Sequence, residues 1–180
     1  MLYTRKGDAG ETGLFGTEER FPKDHSVLEA LGSVDELNAL IGLIRAYANE
    51  RSLEETADEL YRVQETLFVI QAELAGADKH VEQADIDALE QTIEEVEARI
   101  EKPSSFLVPG TTVLSALFDL ARTVTRRAER EVITARSDKV QCAELTAYLN
   151  RLSSFFYAFA REAARSAGQT EPSPTYTRAT

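Results

Sequence analysis

Histidine and cysteine are nearly missing from this 180-residue sequence: His25, His80 and Cys142 are the only ones. A single cysteine excludes an intramolecular disulfide framework and a cysteine-rich zinc site, and it suits a reducing compartment. Neither histidine follows a glutamate by three residues, so the Glu-x-x-His pairs of a carboxylate di-metal bundle are not encoded. Both histidines fall at loop-like positions, which leaves serine or cysteine triad chemistry without a well-placed base. Positive charge is also scarce. Twenty Lys and Arg against 31 Asp and Glu give a net charge of -11, a field that repels nucleic acid and anionic membranes and makes any local basic cluster informative. No apolar run approaches the roughly 18 residues of a membrane span, and Met1-Leu2-Tyr3-Thr4-Arg5 lacks the basic-then-apolar start of a secretion signal. The expectation is an untargeted cytoplasmic protein with neither nucleic-acid nor membrane partners.

What is present is a helical period. From Ser26 onward apolar residues recur every three or four positions in five blocks, and strand-like alternation is essentially absent. The first helix is predicted from Ser26, capped with Glu29, to about Ala48, with Val27, Leu31, Val34, Leu37 and Ile41 inward. Ser52 and Glu55 repeat the start signal for a second helix, which carries Leu53, Leu60, Val63, Leu67, Ile70 and Leu74 and stops at Gly76. The third, about Asp85 to Lys102, carries only the narrow stripe Ile86, Leu89, Ile93, Val96 and Ile100, the pattern of an outer helix, and meets Pro103. The fourth spans roughly Thr112 to Arg136. The fifth runs from about Val140 to Ala167 before Gly168. The fold class is therefore all-α: one domain, a five-helix bundle over 26–167, preceded by a Gly-rich loop over 1–25 and followed by a tail over 168–180.

Five stretches could carry chemistry. The N-terminal run Thr4-Arg5-Lys6-Gly7-Asp8-Ala9-Gly10-Glu11-Thr12-Gly13 offers backbone amides that can cradle phosphate oxygens, with Arg5, Lys6 and, farther on, Lys23 adding charge. It is not a P-loop, because no Gly-Lys-Ser/Thr follows, and a mobile arm is the plainer alternative. In the fourth helix, Arg122, Arg126, Glu129 and Arg130 share one arc of the wheel, opposite Leu117, Ala121, Val124, Ala128 and Val132. Guanidinium forks suit phosphate oxygens, although a solvated face with Arg-Glu pairs has the same pattern. In the first helix, Asp35 and Asn38 border the apolar arc, and a carboxylate there calls for a cation such as Arg122 or Arg126. Asn150 borders the inward stripe of the fifth helix, Leu145, Leu149, Leu152, Phe156 and Phe159, where a packing hydrogen bond is the plain reading. Finally, Phe106 sits in the apolar connection Phe106-Leu107-Val108, which is expected either to be buried or to line a ligand pocket.

Taken in order, Tyr3-Thr4-Arg5-Lys6-Gly7-Asp8-x-Gly10-x-Thr12, Gly32-x-Val34-Asp35-Glu36-Leu37-Asn38, Arg122-x-x-x-Arg126-Arg127-Ala128-Glu129-Arg130 and Asn150-Arg151-Leu152-Ser153 resemble the PduO-type ATP:cob(I)alamin adenosyltransferases. The resemblance implies a homotrimer with ATP bound between subunits. It assigns to ATP and its Mg2+ the loop residues Thr4, Arg5, Lys6, Gly7, Asp8, Gly10 and Thr12 together with Lys23, Arg126, Arg127, Glu129, Arg130 and Asn150, with Glu129 at the metal. Asp35 and Arg122 are expected to pair near the corrin, and Phe106 to pack beneath it. In such enzymes Co(I) of cob(I)alamin attacks C5′ of ATP and expels triphosphate, so no protein nucleophile is needed. A flavin or other reductase and an adenosylcobalamin-dependent enzyme are the partners such a role calls for. Ser154 departs from the acidic residue many relatives carry there. A nucleotide-sensing bundle without corrinoid chemistry, or a helical assembly module, would share parts of this pattern.

Overall fold

The computed structural model describes residues 3, 5–15, 18–136 and 143–176. Five helices carry the fold: α1 (Ser26–Asn49), α2 (Glu54–Leu74), α3 (Gln83–Glu97), α4 (Val113–Arg136) and α5 (Ala143–Ser166). Ahead of them lies an antiparallel hairpin absent from the sequence expectation, β1 (Glu11–Gly13) and β2 (Arg20–Pro22), with Thr12 opposite Phe21. Three-residue strands are too short for a period-two pattern to register.

The helix boundaries differ from expectation where local hydrogen bonding overrides pattern. His25, not Ser26, caps α1, its Nδ1 accepting from the Val27 amide at 3.3 Å. At α3 the capping box is Glu82 with Asp85, whose Oδ2 accepts the Glu82 amide at 2.9 Å. That helix ends at Glu97, short of Lys102, where the Arg99 and Ile100 amides tighten to three-residue bonds with Val96 and Glu97. The expected α5 start at Val140, and Cys142, lie outside the described residues. Gly76 and Gly168 close α2 and α5 with paired bonds, Ala77 to Ala72 with Gly76 to Glu73, and Gln169 to Ala164 with Gly168 to Arg165. Both glycines hold φ near +88° and +67°, values that a side chain would strain.

In the bundle, α1 lies between α2 and α4, α4 packs on α5, and α5 on α3. The expected outer position of α3 is thus met. A single core runs through all five helices. Near the C-terminal half of α5 it becomes aromatic, with Phe155 and Phe159 stacked at 4.2 Å and Phe118 tilted against Phe159 at 5.5 Å, contacts that add to area burial. Buried beside these rings is a charged pair: Arg161 Nη2 donates to Asp119 Oδ2 at 2.7 Å, with both side chains about 5% exposed.

Candidate functional site

The hairpin organises the glycine-rich loop. The Asp8 amide donates to the Arg5 carbonyl at 3.3 Å, Gly10 to Gly7 at 3.2 Å and Lys23 to Gly10 at 2.9 Å. Gly10 holds φ near +85°, and a Cβ on Gly7 would come within 3.2 Å of Lys23 Nζ. Glycine at position 7 therefore lets the lysine ammonium lie against the loop backbone, where it adds charge to the exposed loop. Gly7, Gly10 and Lys23 are thus brought together as the sequence suggested; Thr12 sits in β1, and Thr4 lies outside the described residues. The sequence reading missed Arg20. Its Nη2 donates to the Lys6 carbonyl at 2.7 Å and the Glu11 carbonyl at 2.9 Å, and its Nε meets Glu11 Oε2 at 3.3 Å. Only the hairpin register, invisible in a three-residue strand, reveals that role.

On α4, Arg126 and Arg130 stand exposed, Arg130 Nη1 donating to the Arg126 carbonyl at 2.9 Å. One turn across, Asn150 Nδ2 on α5 donates to Glu129 Oε1 at 3.0 Å. Arg151 Nη1 in turn donates to Asn150 Oδ1 at 3.0 Å, and Arg151 Nε to Glu90 Oε1 on α3 at 2.6 Å. This chain fixes the Asn150 amide and holds the Glu129 carboxylate on the arginine face. Asn150 is exposed and makes the interhelical hydrogen bond of the plain packing reading, with its partner on the arginine face. Arg127 points elsewhere and pairs with Glu36 across the α1–α4 seam.

One expectation is corrected, and one alternative is excluded. Asp35 and Arg122 do not pair within the chain: Asp35 is exposed and accepts from Gln71 Nε2 at 3.3 Å, while Arg122 Nε faces Asp119 Oδ1 at 3.7 Å. Val34, Leu37, Asn38 and Ile41 form the buried face of α1, which turns Asp35 to its rim above α2. There it lines, with Phe15, Leu31, Phe68 and Gln71, a groove of about 710 Å³. The apolar connection before α4 is not core either. Phe106 is 80% exposed and Val108 43%, an unusual amount of apolar surface to leave bare at one corner.

Neither strand packs extensively on a helix among the described residues. The chain thus carries a cationic, glycine-rich cradle, an Arg-Glu-Asn face on α4 and α5, an apolar groove and an exposed phenylalanine. Together they suit a polyanion joined to a large, partly apolar partner. None of the described helices is long and apolar enough to cross a membrane.

The profile of the cobalamin adenosyltransferase family matches residues 2–163. A corrinoid adenosyltransferase from Citrobacter freundii is 40% identical over 167 residues, covering 89% of this chain and 93% of its own length. Corrinoid adenosyltransferase PduO from Salmonella typhimurium is 38% identical over 89% of this chain, which spans about half, 48%, of that longer protein. Among solved structures, a single-residue variant of the PduO-type ATP:corrinoid adenosyltransferase from Lactobacillus reuteri, complexed with cobalamin and ATP, superposes with a TM-score of 0.87. It is 29% identical over 97% of this chain and 99% of its own. Fold, motifs and relatives agree, and the chain belongs to the cobalamin adenosyltransferase family.

Proposed function

We propose that the protein is an ATP:cob(I)alamin adenosyltransferase that works as a homotrimer with ATP between subunits. The observation that carries this reading is the pair of surfaces suited to anions, the Gly7–Lys23 cradle and the Arg126–Glu129–Arg130–Asn150 face, in a chain whose fold matches a PduO-type enzyme complexed with cobalamin and ATP. In this reading the Co(I) lone pair attacks C5′ of ATP; the new Co–C bond forms as the C5′–O5′ bond breaks, and triphosphate leaves with the electron pair. No proton moves, so no base is needed. Arg5, Lys6 and Lys23 receive one end of the triphosphate, and Arg126 and Arg130 stabilise the charge that concentrates on it as it departs. Among the described residues no three acidic, histidine or cysteine side chains gather to hold a metal. Glu129 fits as a lone protein oxygen for Mg2+, with the phosphates supplying the rest, as this hard cation commonly arranges.

Asp35, on the rim of the apolar groove, and Arg122 are assigned to the corrin side. The test of the whole reading is ATP-dependent spectral conversion of chemically reduced cobalamin by protein whose mass is followed by light scattering. ATP binding without conversion would favour a sensor, and a fully active monomer would remove the intersubunit site.

Phe106 supplies a sharper prediction. Its exposed ring offers an apolar floor for the lower corrin face that keeps the dimethylbenzimidazole tail from cobalt; loss of that axial donor lowers the orbital that must accept the electron on reduction of Co(II). Phe106→Ala should therefore slow adenosylation that starts from Co(II), with ATP affinity and assembly near wild type. The paramagnetic resonance spectrum of cob(II)alamin bound with ATP decides. Wild-type occupancy of the four-coordinate, tail-off species in the variant would remove Phe106 from the site.

A further inference from the structure

The chain beyond α5 does not trail into solvent. Gly168 reverses it, and the segment lies back over the connection that carries Phe106. The Val108 amide donates to the Pro172 carbonyl at 2.8 Å, and the Ser105 and Ser173 hydroxyls share a hydrogen bond at 2.7 Å. Between these two ties and the helix end, Glu171 Oε2 reaches Arg161 Nε at 2.7 Å, its side chain only about 10% exposed. Arg161 is held on its other edge by Asp119 and stands over the Tyr157 ring at 4.7 Å. Asp119 also faces Arg122.

A glutamate beyond the last helix has no need to be buried. Burial pushes its carboxyl above its ordinary value, against the pull of Arg161, so the segment holds Glu171 there at a cost that must be recovered elsewhere. The bundle core is already complete without residues 169–176. The ties gained lead to one element, the connection 103–110, whose most exposed large apolar side chain is Phe106.

We propose that Glu171 and Arg161 are positioning residues for Phe106: their buried ion pair clamps the C-terminal segment as a strap whose backbone and hydroxyl bonds at Val108 and Ser105 hold the Phe106 connection in its outward pose. This rests on the assignment of Phe106 to the corrin side. Neither residue touches substrate. Through Asp119 the same clamp borders Arg122, so the strap links the two corrin-side candidates of α4 and its preceding connection.

Glu171→Gln is the informative variant, because Arg161 keeps Asp119 and the core should be undisturbed. Loss of the buried ion pair should release the strap, and amide exchange at Val108 in the ligand-free protein should quicken ten- to a hundredfold. KM for cobalamin should rise or its turnover fall at least fivefold, while KM for ATP stays within about twofold and melting within a few degrees. Glu171→Asp, which keeps the charge, should recover part of both effects. Val108 exchange at the wild-type rate in Glu171→Gln, or unchanged cobalamin parameters despite faster exchange, would overturn the proposal. A wild-type protein that converts no cobalamin would overturn the functional reading instead, and Val108 exchange would then decide alone whether the clamp exists.

Discussion

Arg126→Ala and Arg130→Ala should each weaken ATP binding about ten- to a hundredfold, the equivalent of roughly 1.5 to 3 kcal/mol for a lost charge-assisted contact. The two arginines stand one turn apart on the exposed face of α4, and Arg130 is already oriented by its bond to the Arg126 carbonyl. Effects of the two should not simply add, since removal of Arg126 leaves Arg130 able to approach the vacated phosphate oxygens. Neither change reaches the core: Ala128 and Val132, on the opposite side of the helix, carry the packing. Stability should therefore stay within about 0.5 kcal/mol. Lysine at either position should restore less than half of the lost binding energy, because a point charge does not reproduce the two-pronged guanidinium contact. Titration calorimetry with ATP and Mg2+ checks each value, and unchanged affinity in both alanine variants would reduce the face to a solvated surface.

The largest loss of stability is expected from Asp119→Ala. Asp119 is buried and is bonded to Arg161, whose guanidinium is equally buried. Truncation strands that cation beside aromatic rings, and breaking such a pair from one side costs about 3 to 5 kcal/mol. Glu171 keeps one contact to Arg161, which favours the lower half of that range. Replacement of both partners, Asp119→Leu with Arg161→Met, should cost less than the single truncation, since no unpaired charge remains. Urea unfolding of the three proteins separates these cases: a double variant less stable than Asp119→Ala would mean that the pair itself, not the stranded charge, carries the energy.

The sequence made the bundle readable because its signals are local and periodic. The inward stripes of α4 and α5 are buried as expected: Ala121, Val124, Ala128 and Val132 in one, Leu145, Leu149, Leu152, Phe156 and Phe159 in the other. What escaped depends on partners distant in sequence. Asp119 and Arg161, 42 residues apart, look like ordinary helix-surface charges until α4 meets α5. Arg20 acquires its role only when a hairpin forms. Asp35 illustrates the opposite error: of the two polar residues bordering the apolar arc of α1, Asn38 is buried as its place suggested, while Asp35 lies exposed on the rim. The glycine-rich loop and the arginine face were legible by composition and spacing, because each is a short run or a single helix face whose residues are close in sequence.

The bundle's neighbour order also has a history in time. Hairpins α1–α2 and α4–α5 are made of contacts close in sequence and can form as soon as each second helix appears. The seam between α1 and α4 is different: Glu36 meets Arg127 across 91 residues. At translation rates of roughly 5 to 20 residues per second, the α4-facing side of α1 waits on the order of 5 to 20 seconds for its partner. During that interval Val34, Leu37 and Ile41 depend on α2 alone for cover. The nascent chain is thus most vulnerable to association after α2 is complete and before α4 emerges, and α3, which docks mainly on α5, can shorten none of that wait.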